Sequence, residues 1–180
     1  MPDRTLELPK KHGWKCSPGY CIFVLDRGAV RFDIPQGWIV KFGETSVKIH
    51  DREPPGDDCA LEVSCFRHPP VDWAGLPLRQ LLNASVPGEE GDIPANREIV
   101  EARRADLELA WTERRYVDPG EKRDAVSRVL IGRGTGVHCL ITFDFWADQA
   151  ARFEPAWDEM VRSLVLACYV EDPARGPVTH

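Results

Sequence analysis

The sequence predicts an α+β domain: a single antiparallel β-sheet with a C-terminal helix and a shorter helix packed on it. Three observations predict it. Residues 137–145 alternate, with Val137, Cys139, Ile141, Phe143 and Phe145 on one face and His138, Leu140, Thr142 and Asp144 on the other, as a half-buried strand requires. Trp157, Met160, Val161 and Leu164 recur at i, i+3, i+4 and i+7, the stripe of a helix that lies on an apolar surface. Between these and residue 21 the chain alternates short β-rich runs with Gly and Pro turns. The alternative is a helix-grip arrangement, in which a curved sheet wraps the C-terminal helix and encloses an apolar cavity. The two differ in whether that helix fills the space above the sheet.

Residues 1–20 are polar and Pro-containing and read as an N-terminal arm, pinned at Trp14. Residues 21–168 form the single α+β domain, and 169–180, with Pro173 and Pro177, a C-terminal tail. Within the domain, 21–25 and 29–34 read as a hairpin around Asp26-Arg27-Gly28. Pro35 stops the second strand, Gly37 permits a sharp bend, and Trp38 folds back over the sheet end. Residues 46–50 and 59–66 follow as strands, the latter with Cys59, Leu61, Val63 and Cys65 on one face. Residues 76–84 carry the short helix, with Leu78, Leu81 and Leu82 on one side and Pro77 in its first turn. Residues 85–96, rich in Gly, Pro and acid, form the longest loop. Four strands then run as a meander from 97 to 145. The turn between the last two is assigned to 132–136 (GRGTG). The main helix is expected to start at Pro155, whose missing N–H costs nothing at a first helical position.

The chain has 180 residues and a net charge of −6, enough for one good core and without the basic footprint of a nucleic-acid binder. No apolar run approaches membrane-span length. The first sixteen residues lack the apolar stretch of a signal peptide. The expected compartment is therefore the cytoplasm, with no membrane insertion and with Cys16, Cys21, Cys59, Cys65, Cys139 and Cys168 as thiols.

Candidate chemistry is sparse. His138 and Cys139 point to opposite faces of one strand, so they form no thiol–imidazole pair, and Cys139 joins the core. His12, Cys16 and Cys21, with Cys65 or His68, lack the spacing of a zinc site and contain no CxxC pair. The 132–136 glycines are followed by a strand, not by the helix a phosphate loop needs. His138, Thr142 and Asp144 read as the solvated face of an antiparallel strand. Trp14, Trp38, Trp73 and Trp146 all fall beside turns or strand ends, whereas Trp111 and Trp157 fit the core. A Trp at a loop–sheet junction reads first as a lid on the core; an exposed one beside an acidic loop would instead suit a protein contact, because aromatic anchors dominate such surfaces.

The pattern Phe32-Asp33-Ile34-Pro35-Gln36-Gly37-Trp38, several strands, and then Phe153-x3-Trp157-x2-Met160-x2-Ser163-Leu164 resembles the PsbP-like superfamily over roughly residues 21–166. That group holds extrinsic photosystem subunits, small Ran-binding nuclear import factors and many bacterial proteins, including chaperones for secreted effectors. The resemblance implies a central antiparallel sheet with packed helices and a binding role without catalytic residues. Metal and chloride retention, associated with the photosystem members, carries over to no residue of this chain.

The expected function is thus a non-enzymatic protein-binding or chaperone-type module, with no catalytic residue, no metal and no cofactor. Its contact surface is placed at Trp38, Trp73, Asp51, Glu53, Asp57 and Asp58, and its partner is another protein, a second copy of the chain included. The alternative is a small-molecule carrier with a cavity lined by Leu109, Trp111, Phe143 and Trp157.

Overall fold

The computed structural model describes residues 14–69, 75–85 and 98–168. Ten strands and two helices follow in order: β1 (Tyr20–Leu25), β2 (Val30–Pro35), β3 (Ile39–Phe42), β4 (Val47–His50), β5 (Cys59–Arg67), α1 (Leu78–Ser85), β6 (Ile99–Arg104), β7 (Leu107–Asp118), β8 (Arg123–Gly134), β9 (Val137–Trp146), α2 (Ala150–Ser163) and β10 (Val165–Leu166). Seven strands form one antiparallel sheet in the order β3-β4-β5-β9-β8-β7-β6. The alternation read in the sequence fixes its register: Leu61 and Val63 lie opposite Phe143 and Ile141, and Leu130 lies opposite Ile141 from the other side. All five side chains are at most 2% exposed.

The expected single sheet is in fact two. β1, β2 and β10 make a separate three-stranded sheet, and its inward side chains, Phe23, Val30, Phe32 and Ile34, belong to the same core as Leu61, Ile141 and Phe143. The physical reason lies at the C-terminus of α2. There Ser163 Oγ accepts the Asp33 N–H at 2.8 Å, and the chain then turns into β10, which pairs with Val30 and Arg31 of β2. The second edge of β2 is thereby taken by β10, and the first hairpin with β10 makes a sheet of its own.

Helix α2 starts five residues before the predicted Pro155. Phe153 explains the difference: it is 2% exposed and packs edge-on against Phe143 at 6.1 Å, so the apolar stripe extends back one turn. That burial outweighs the backbone hydrogen bond that Pro155 forfeits inside the helix. Trp157, Met160 and Leu164 are buried as expected, and Val161 is half-buried against them. Trp157 stacks on Phe143 at 6.1 Å with nearly parallel rings. The helix fills the space above the sheet, as in a PsbP-like fold and unlike a helix grip. Arg104 donates to the carbonyls of Val161 at 2.6 Å and Arg162 at 2.5 Å, closing the helix C-terminus with a cation.

On the opposite face of the sheet, Leu78 and Leu82 of α1 pack on Ala110, Val129 and Ile131. The turn predicted at 132–136 is shorter. Gly132 and Gly134 are strand residues at the end of β8. A Cβ there would come within 2.8 Å of Cys139 Sγ and of Leu166 Cβ respectively. These glycines let β10 cross close above β8.

Candidate functional site

Pro35 ends β2, and the chain reverses through Gln36 and Gly37, the latter at φ +84°, a conformation that favours glycine. The Gln36 N–H donates to Gly19 O at 2.9 Å and its side-chain amide to Tyr20 O at 3.2 Å, locking this turn to the start of β1. Trp38 is thereby thrown over the end of the sheet. It is half-buried, with its ring 6.1 Å from Phe143 and 6.4 Å from Phe153. In front of it lies an open cleft of about 250 Å³, lined by Gly19, Tyr20, Pro35, Trp38, Arg152, Phe153, Pro155 and Ala156. The Tyr20 hydroxyl donates to Pro155 O at 3.2 Å and fixes one wall against α2. Burial, and after it the carboxylates of Glu159 and Asp158, pushes the Tyr20 phenol above its ordinary range, so near neutrality it is a hydrogen-bonding group and not a base.

The acidic loop at 51–58 joins the cleft through Arg152. This guanidinium donates to Asp51 at 2.8 Å and to Asp58 at 2.9 Å while lying over the Phe153 ring at 4.8 Å. Asp51 is turned inward, its side chain 1% exposed, and accepts the N–H groups of Asp58 at 2.9 Å and Cys59 at 3.3 Å. Asp58 also holds Arg52, and Asp57 pairs with the buried His50 at 2.8 Å. Glu53 pairs with Lys41 but points outward, 67% exposed. Of the residues singled out in the sequence, Trp38, Asp51 and Asp58 therefore meet at one site through Arg152. Asp57 and Glu53 sit on the same loop, and Trp73 lies outside the described residues.

Arg152 and Tyr20 carry the site and were not singled out by sequence reasoning. Arg152 falls before the predicted helix start. The signal that could have found it is Phe153, four residues ahead of Trp157 in the stripe; it implies that the preceding residues are helical too.

The thiols divide as the alternation implies. Cys59 and Cys139 are buried, and burial pushes both up to about 12, so neither is an available thiolate. Cys16 and Cys21 are exposed, and all six cysteines are free. Among the described residues, no group of three or more His, Cys, Asp or Glu could hold a metal ion; His12 lies outside them. His138 lies against His68 with ring centres 4.7 Å apart and the rings tilted, on the face opposite Cys139. Asp144, on that same face, is held above the ordinary carboxylate range by burial, which the Ser127 hydroxyl and Arg114 only partly offset. No helix among the described residues is long and apolar enough to cross a membrane.

An antiparallel seven-stranded sheet, a second small sheet and an aromatic-striped C-terminal helix make up a PsbP-like fold. Solved structures agree. The solution structure of the cyanobacterial PsbP protein CyanoP from Synechocystis sp. PCC 6803 superimposes with a TM-score of 0.53 at 14% identity, over 86% of this chain and 98% of that one. LpqN, involved in cell envelope biogenesis of Mycobacterium tuberculosis, gives 0.55 at 12% identity, over 81% and 89%. A protein from Bacteroides thetaiotaomicron VPI-5482 gives 0.57 at 15% identity, with this chain spanning about half of its length (81% and 47%). The chain itself belongs to the Alr1449 family, which matches residues 21–170. It is 47% identical over 173 residues to the uncharacterized protein alr1449 of Nostoc sp. (strain PCC 7120), covering 96% of this chain and 90% of that protein.

Proposed function

We propose that this domain is a non-catalytic protein-binding module whose contact surface is the Trp38 cleft and the rim supplied by loop 51–58. One observation carries the reading. A large aromatic ring is left half in solvent beside a rim whose own charges are already paired internally, through Arg152, Asp51 and Asp58. Such a rim is held in place before any partner arrives, which lowers the ordering cost of binding, and aromatic anchors contribute most of the energy at such surfaces. The chemistry around the cleft agrees, since its phenol stays protonated. Glu53 is the outward acid on the rim, and the carboxylates of Asp51, Asp57 and Asp58 act by holding the loop. The partner is another protein, and the working compartment is the cytoplasm.

A photo-crosslinking phenylalanine analogue at position 38, compared with the same analogue at the far-edge position 103, tests this in the source cell. Position 38 is expected to give a discrete protein adduct that position 103 does not. An adduct of two copies would identify a second copy of the chain as the partner. The same spread of products from both positions, or none from position 38, would sink the reading.

A further inference from the structure

The lining of the cleft specifies more than a protein. We infer that it takes an extended, proline-bearing peptide segment with a Lys or Arg next to the prolines. This deepens the reading of the cleft as a protein-binding surface and rests on it.

Its lining holds three aromatic residues, Tyr20, Trp38 and the mostly buried Phe153, and the apolar remainder comes from Pro35, Pro155 and Ala156. At about 250 Å³ and open to solvent, the cleft is smaller than the roughly 300–1,000 Å³ of sites that enclose small molecules. It suits a short stretch of chain passing through. Gly19 at one end has open space where a Cβ would stand, so backbone can approach there. Proline segments already occupy the polyproline II conformation, lose little freedom on docking, and present flat rings that fit between aromatic faces. Their carbonyls need donors. The Trp38 indole N–H makes no hydrogen bond among the described residues and is not buried away from solvent. The Tyr20 hydroxyl, on the facing wall, now donates to a carbonyl of its own chain.

The charge near the cleft sets the second requirement. Arg152 is shared by Asp51 and Asp58, Glu154 is paired with Arg128 at 3.0 Å, and Glu159 with Arg162 at 2.5 Å. Asp158, three residues beyond Pro155 on α2 and exposed, has no ion pair among the described residues. Its field reaches the Tyr20 phenol. A cation leaving the Tyr20 end of the cleft would meet this unpaired carboxylate, a contact that favours specificity and encounter rate.

The test is fluorescence anisotropy with the whole chain and a dye-labelled peptide, Ala-Pro-Pro-Leu-Pro-Pro-Lys-Ala. Two controls replace every Pro by Ala or the Lys by Glu. The Pro-to-Ala peptide is expected to bind at least about tenfold more weakly, and the Lys-to-Glu peptide about threefold to tenfold more weakly at low salt. Trp38→Ala should abolish binding. Asp158→Lys alters an exposed position and leaves the fold intact; it should reverse the preference for the Lys peptide over the Glu peptide. Equal binding of the all-alanine peptide, an unmoved preference in Asp158→Lys, or no binding of the proline peptide would each overturn the inference. If the position-38 adduct nevertheless forms in cells, the protein-binding reading stands and the proline-and-cation assignment alone falls.

Discussion

Arg128 and Arg152 are built alike and placed differently. Each guanidinium lies over aromatic faces and divides its N–H groups between two carboxylates. Arg128 sits over Trp111, Phe145 and Trp157 at 5.4–5.7 Å and bonds Glu113 at 2.9 Å and Glu154 at 3.0 Å. Arg152 sits over Phe153 and bonds Asp51 and Asp58. The side chain of Arg128 is 6% exposed and that of Arg152 50%. The interior arginine ties β7, β8 and α2 together beneath covering rings. The surface one ties α2 to a loop and leaves the Trp38 ring beside it half open. The same pairing chemistry makes a strut in one place and frames a recess in the other.

The sharpest break of this comparison is between the two tryptophans on either side of α2. Trp157→Ala should lower the unfolding free energy by ~3–5 kcal/mol, the range for a large side chain removed from a packed core. Trp38→Ala, half-buried, should cost only ~1 kcal/mol by its smaller lost area. Urea denaturation measures both, and equal losses would mean that Trp38 is a core residue and not a surface anchor. Next in size are the arginines themselves. Arg128→Ala should cost ~2–4 kcal/mol, somewhat short of a fully buried pair because Glu154 is half exposed. Arg152→Ala should cost about 1 kcal/mol or less and act locally, through faster amide exchange at Asp58 and Cys59. Unchanged exchange there would show that Asp51 holds the loop without help from the helix.

The smallest effect is one of pH. The half-buried Asp144 carboxyl keeps its proton to higher pH in the folded chain than in the unfolded one. Its favourable contribution is therefore complete below the ordinary carboxylate range and is lost as pH rises through the raised value. Asp144→Asn removes that loss. The variant should gain stability relative to the parent at pH 7 and gain less at pH 4; a difference independent of pH would refute it.

What the sequence made legible was whatever a local period can carry. The β9 alternation, the four-strand meander and the Trp157–Leu164 stripe all follow from side chains repeating over a few residues against one surface. The second sheet was hidden because β10 is two residues long and meets β2 across more than 130 positions; no local pattern encodes such a pairing. Gly132 and Gly134 were read as a turn, since what excludes a side chain there is Cys139 on the next strand at Gly132 and, at Gly134, Leu166, far along the chain. The candidate site was legible in its parts. Trp38 and the acidic loop stood out by composition, but Arg152, which brings them together, was invisible until α2 had its true start.

One consequence of β10 concerns biosynthesis. Among the described elements, the hairpin of β1 and β2 is the first to be translated and its third strand, β10, the last. Until Leu166 emerges, β2 has an open edge and Gly134 lacks the side chain that packs closest over it. A nascent chain stopped at Ser163 would retain α2 and both strands of the hairpin but lack the clasp that joins them.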